Sequence, residues 1–178
     1  MTYPDEVMFS CSVRAEQARC GSREAHARRA KNGGFASELS DDAIEFIRQR
    51  DSIYLATASA EGQPYVQHRG GSPGFVVVLD RHTLGFAEYP GNRQFISSGN
   101  LAENERAFLF LMDYVNARRL KLWGSAEVTE EPEMLARVTG GVSPETRSAI
   151  IFTVRAADWN CSKYIPRLVA PMGTQSDS

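Results

Sequence analysis

Short runs of β-branched and aromatic residues recur from residue 53 to residue 155, separated by polar turns rather than by helix-length segments. The runs at 53–58 (IYLATA) and 64–69 (PYVQHR) flank Ser59-Ala60-Glu61-Gly62, a glycine-bearing loop of hairpin size. Further runs follow at 75–80, 83–88, 106–113, 118–128 and 149–155, giving about six to seven antiparallel strands. So many short strands in so few residues predict a mainly β fold, a β-barrel with peripheral helices, because closure hides the strand edges. The stretches 75–79 and 107–112 are almost continuously apolar, a pattern expected where both faces of a strand are covered. In a small barrel the second cover is naturally another subunit.

Helical signals sit outside these runs. Ser40 is placed to cap a helix up to about Arg50, with Asp41 and Asp42 at its positive end and Ile44 and Ile47 as an apolar stripe. Residues 14–31 suit a helix interrupted near Gly21, but its apolar face is only a few alanines wide, so this arm must pack on something, a partner subunit included. The expected division is an N-terminal helical arm over 1–36, a barrel domain over 37–168 and a flexible polar tail over 169–178.

Composition narrows the function. The 178 residues carry a formal charge of -2, which argues against a broad attraction to nucleic-acid backbones. Arginine supplies 17 of the 20 basic residues; this is either composition bias or a supply of guanidinium forks suited to phosphate. Cys11, Cys20 and Cys161 lack metal-ligand or disulfide-framework spacing, so no metal site is expected and a reducing cytoplasm fits. Neither a leader-like start nor an 18-residue apolar stretch occurs, so a cytoplasmic protein with no membrane role is expected. HExxH, P-loop and GxGxxG patterns are absent from the sequence.

Four clusters carry candidate chemistry. His68-Arg69-Gly70-Gly71 ends a strand in two glycines that let a ligand approach the backbone, with Arg69 as a phosphate clamp. Asn92-Arg93-Gln94 opens an expected short helix over 93–98, whose free amides and Arg93 would form an anion site. Arg119, Lys121 and Trp123 share one face of a strand, and Trp159 with Asn160 offers a flat aromatic and an amide. Plain readings stand beside these: a chain turn at Gly70-Gly71, a simple cap at Asn92, solvated arginines, a structural His68 and a Trp159 that plugs the barrel end.

Taken in order, the segments Tyr54–Thr57, Gln67–Gly71, Gly85–Gln94, Asn104–Leu111 and Arg119–Val128 resemble the flavin mononucleotide (FMN)-binding split barrels of the pyridoxamine 5'-phosphate oxidase superfamily. The resemblance spans roughly residues 37 to 165. It implies an FMN-dependent oxidoreductase, a homodimer with the cofactor at the subunit interface, and a small-molecule substrate or NAD(P)H as reaction partner. It assigns the FMN phosphate to Arg69 and Arg93, cofactor-lining positions to Ala87 and Glu88, and a flavin contact to Arg119. Asn92-Arg93-Gln94 stands where the family often has Ser-Arg-Lys, which removes one cation. The vitamin-gripping C-terminal stretch is reduced to Trp159, Tyr164 and Arg167, which argues against vitamin B6 oxidation. A non-catalytic flavin store and a haem- or deazaflavin-binding barrel are the alternatives.

Overall fold

The computed structural model describes residues 3–89, 91–140, 146–159 and 163–168; Asn160, Cys161 and the tail expected over 169–178 lie outside them. The first hairpin forms as the sequence reads: β1 (Ser52–Ala58) pairs antiparallel with β2 (Pro64–Gly70), Ser52 opposite Gly70 and Ala58 opposite Pro64. Gly62 turns the chain at φ 89°. Alternation along β1 sends Ile53 and Leu55 into the core and leaves Tyr54 and Ala56 on the outer face.

The remaining strands are β3 (Val77–Val78), β4 (Thr83–Glu88), β5 (Arg106–Asp113), β6 (Arg118–Thr129) and β7 (Ser148–Trp159). All seven form one curled antiparallel sheet in the order β2-β1-β5-β6-β7-β4-β3. Leu84, Phe86, Leu109, Leu122, Ile150 and Phe152 fill its concave side. The two outermost strands, β2 and β3, do not pair, so the barrel stays split along one seam.

The expected strand over 75–80 shrinks to Val77–Val78. Phe75 instead closes a turn through its amide to the Ser72 carbonyl, and Val76 is apolar because it is buried in the core. The apolar run in β5 is covered on one face only: Leu109 and Leu111 are buried, while Phe108 and Phe110 stand half-buried on the outside.

Helices sit around the barrel. In the arm, α1 (Pro4–Met8) precedes α2 (Cys11–Arg19) and α3 (Arg23–Lys31), which break at Gly21, φ 74°. No arm helix buries a residue, yet the arm has an anchor on its own barrel. Arg29 pairs with buried Asp158 of β7 and lies over the Phe35 ring, against which Phe9 packs edge-on at 5.4 Å. Ser40 caps α4 (Asp41–Arg48) through the Ala43 amide, as its sequence predicts.

The expected helix over 93–98 begins later, as α5 (Ile96–Glu103). Arg93 and Phe95 both adopt left-handed φ, 59° and 52°, which a helical first turn does not tolerate. Asn92 is therefore not its cap; its side chain accepts from the Gln94 amide at 3.2 Å. A further helix, α6 (Pro132–Thr139), packs Leu135 and Val138 on Ala149 and Ile151. It approaches β4 so closely that a Cβ on Gly85 would lie 2.5 Å from the Val138 side chain.

Candidate functional site

The split seam opens into a cleft of about 560 Å³, bounded by the end of β2, by β3, by the end of β4 and by the C-terminal turn of α6. Hydrogen-bond parity decides which backbone groups face it. Gly71 and Asp51, and Ser59 and Gln63, are bonded pairs in the register shared by β1 and β2, so Gln67 and Arg69 also bond to β1. His68 and Gly70 therefore turn N–H and C=O outward from the sheet edge. On the opposite wall Val154 bonds to His82, which gives Phe86 and Glu88 to β7 and leaves the Ala87 backbone facing outward beyond the end of β3. His68 and Gly70 on one wall and Ala87 on the other thus offer backbone groups that no neighbouring strand takes up among the described residues, a slot suited to the edge of a planar polar heterocycle.

Above this slot stands a buried ion pair. Arg69 Nη2 donates to Glu88 Oε1 at 3.2 Å, with side-chain exposures of 13% and 9%. Glu88 also accepts from Ser98 of α5 at 2.8 Å and from Ser148 of β7 at 3.4 Å. Arg69 Nε is buried without a hydrogen-bond partner among the described residues. Nε and Nη2 form one edge of the guanidinium, so the edge that grips an oxyanion bidentately is only half used. Ser97 donates to Gln67 at 3.0 Å and Asn100 to Thr57 at 3.0 Å, fixing the uncapped start of α5 beside β2.

The candidate residues fall into three groups. His68, Arg69, Gly70 and Ala87 line the cleft, and Glu88 backs Arg69. Gly71 flanks it and makes room for cleft-lining Phe75, whose Cβ would lie 2.6 Å from a Cβ on that glycine. Asn92, Arg93 and Gln94 follow cleft-lining Gly91 in an exposed loop, where Arg93 has no ion-pair partner among the described residues. Arg119 and Trp159 lie elsewhere. Trp159 packs edge-on against Phe46 at 4.9 Å beneath the Arg118 guanidinium. Arg119 sits opposite Met112 on β6, three strand spacings from β2, about 14 Å across the sheet. Its Nε, too, is buried and has no partner among the described residues.

The same outer face carries an apolar hollow of about 410 Å³ lined by Tyr54, Ala56, Val66, Phe108, Phe110 and Tyr114. His68, Tyr54, Phe110 and Lys121 form one cross-strand row, so the hollow runs directly into the cleft edge; His68 packs edge-on to Tyr54 at 5.6 Å. Burial pushes the Tyr114 hydroxyl above its ordinary pKa, and its hydrogen bond with Tyr54 adds to this. The α6 residues Arg137 and Thr139 also line the cleft, unforeseen from sequence. Their local signal was Pro132 opening a helix with Leu135 and Val138 three apart.

The pyridoxamine 5'-phosphate oxidase model matches residues 39–159. The chain belongs to that family. Solved structures of the same fold include HupZ of Group A Streptococcus (17% identity, TM-score 0.55, covering 67% of this chain and 91% of HupZ). A putative pyridoxamine 5'-phosphate oxidase of Lactobacillus delbrueckii aligns at 20% identity with a TM-score of 0.54, covering 68% and 94%. A protein related to general stress protein 26, from Clostridium acetobutylicum, aligns at 15% identity with a TM-score of 0.51, covering 67% and 85%. No curated protein matches the sequence. This pyridoxamine 5'-phosphate oxidase family member thus has the split-barrel fold its motifs predict. Among its described residues no helix is long and apolar enough to cross a membrane.

Proposed function

We propose that the chain binds FMN in the seam cleft and acts as a flavin-dependent oxidoreductase on a small molecule, as a homodimer in the cytoplasm. The observation that carries this reading is the half-used guanidinium edge of Arg69, buried at the head of a slot of outward-facing backbone groups. The slot suits the polar edge of a flavin ring, and the guanidinium suits its phosphate. When bound, FMN supplies the hydride or electron chemistry.

The chain's own residues hold and orient it. Arg69 grips phosphate from β2, while Arg93 and the amides of the Asn92–Gln94 loop close on it from the far side. His68, Gly70 and Ala87 present N–H and C=O groups to the ring edge, and Phe75 with Val77 excludes water below. Arg119 is too remote to join the cleft of its own subunit. It completes the site from a second copy seated on the apolar hollow beside His68, which also covers Phe108 and Phe110. Trp159 stays outside the site.

The absorption spectrum and bound-ligand mass of the purified protein test the proposal. A flavin spectrum with the mass of FMN, bleached anaerobically by NADH or NADPH, supports it; colourless protein that gains no thermal stability from FMN overturns it. Because His68 is the one histidine, and there is no carboxylate, among the described residues lining the cleft, a non-catalytic flavin store is the second reading. Bound flavin that neither nicotinamide nucleotide bleaches favours the store, and a haem or deazaflavin spectrum identifies the remaining alternatives.

A further inference from the structure

We propose that Glu88 is an internal stand-in for the ligand's anion, a built-in competitor that sets how tightly the cleft holds phosphate. The inference deepens the FMN reading and rests on Arg69 being the phosphate-binding group. Its basis is the geometry around one carboxylate. Glu88 Oε1 sits 3.2 Å from Arg69 Nη2, on the same guanidinium edge as the unpartnered Nε. An oxyanion taking that edge bidentately either displaces Glu88 from Nη2 or shares Nη2, which carries two N–H groups, at the cost of like-charge repulsion.

The surroundings allow displacement rather than mere blockage. Glu88 is held independently of Arg69, by the Ser98 hydroxyl on Oε1 and the Ser148 hydroxyl on Oε2. These are neutral donors, so when phosphate takes Arg69 the carboxylate keeps two hydrogen bonds but loses its only cation among the described residues. Retaining a buried negative charge without its counter-ion is costly. The bound anion's gain at Arg69 is reduced by that amount. Ser98 belongs to the first turn of α5 and Ser148 to the start of β7, so the carboxylate is held from two elements other than β2.

The test compares wild type with Glu88→Gln, which keeps the side chain's shape and one acceptor oxygen but removes the charge and turns the other oxygen into an NH2 donor, by titrating FMN, riboflavin and inorganic phosphate. The expected result is FMN and phosphate bound about tenfold more tightly by the variant, with riboflavin unchanged. Unchanged or weaker phosphate and FMN binding by a folded variant overturns the inference. Tighter phosphate binding without FMN binding by either protein sustains it while sinking the FMN reading; tight FMN binding that Glu88→Gln leaves unaltered does the reverse. Should the variant fail to fold, wild-type crystals soaked in phosphate decide. An anion on Arg69 with the Glu88 pair opened beyond ion-pair distance supports the inference, and an intact pair or an empty Arg69 edge contradicts it.

Discussion

Arg50 and Arg69 are almost equally buried, with side-chain exposures of 12% and 13%, and each pairs with a buried carboxylate, Asp113 or Glu88. Their hydrogen bonds differ. Arg50 donates Nε to the Phe46 carbonyl at 3.2 Å and Nη1 to the Met112 carbonyl at 3.0 Å, places Nη2 3.4 Å from Asp113, and stacks on the Phe46 ring. Every nitrogen is engaged in joining α4 to β5. Among the described residues Arg69 bonds through Nη2 alone and its Nε has no partner, and it stands at an open seam beside a loop with left-handed backbone at Arg93 and Phe95. A saturated buried arginine is structural, whereas one left short of an acceptor is the place where the proposed anion would bind.

That contrast breaks most sharply in stability. Asp113→Ala should cost about 3 kcal/mol in denaturant unfolding, because Arg50 is left buried without its counter-charge. FMN affinity per folded molecule should not change. The loss is pH-dependent: burial alone would raise the Asp113 pKa, but Asn116 hydrogen bonds and the Arg50 charge outweigh it and hold the carboxyl below its ordinary 3.8. A depressed folded-state value stabilises above the unfolded-state pKa and is lost as pH falls through the folded one. The gap between wild type and Asp113→Ala should therefore be full at neutral pH and close only in strong acid.

At the second arginine the effect should move from folding to binding. Arg69→Ala should weaken FMN by about 2 kcal/mol and leave riboflavin nearly untouched, measured by flavin fluorescence quenching. Arg93→Ala should act in the same direction by about 1.5 kcal/mol, and unaltered FMN affinity would remove that loop from the phosphate site. The smallest effect belongs to Trp159→Phe, which should lower stability by about 1 kcal/mol through lost packing on Phe46 and leave FMN affinity as it was.

The split barrel was legible because alternation in 53–58 and 64–69, a glycine turn and a capping Ser40 each act locally. Arg69 and Ala87 were legible through family resemblance, since a strand-end arginine alone is equally a surface group. Three features were not legible, for physical reasons. The outward backbone of His68, Gly70 and Ala87 depends on strand parity and on which edge stays unpaired, and no side chain encodes it. The start of α5 was misplaced because left-handed Arg93 and Phe95 defy their own propensities. The pairing of Arg69 with Glu88 joins strands that are not neighbours in the sheet, so nothing local announces it.

The central claim, that the half-used edge of Arg69 receives a ligand phosphate, is tested most directly by titrating the ligand-free protein with FMN and with riboflavin. The account predicts that FMN binds at least about tenfold more tightly, the difference arising from one charged contact. Equal affinity for the two, or binding of neither, would contradict it.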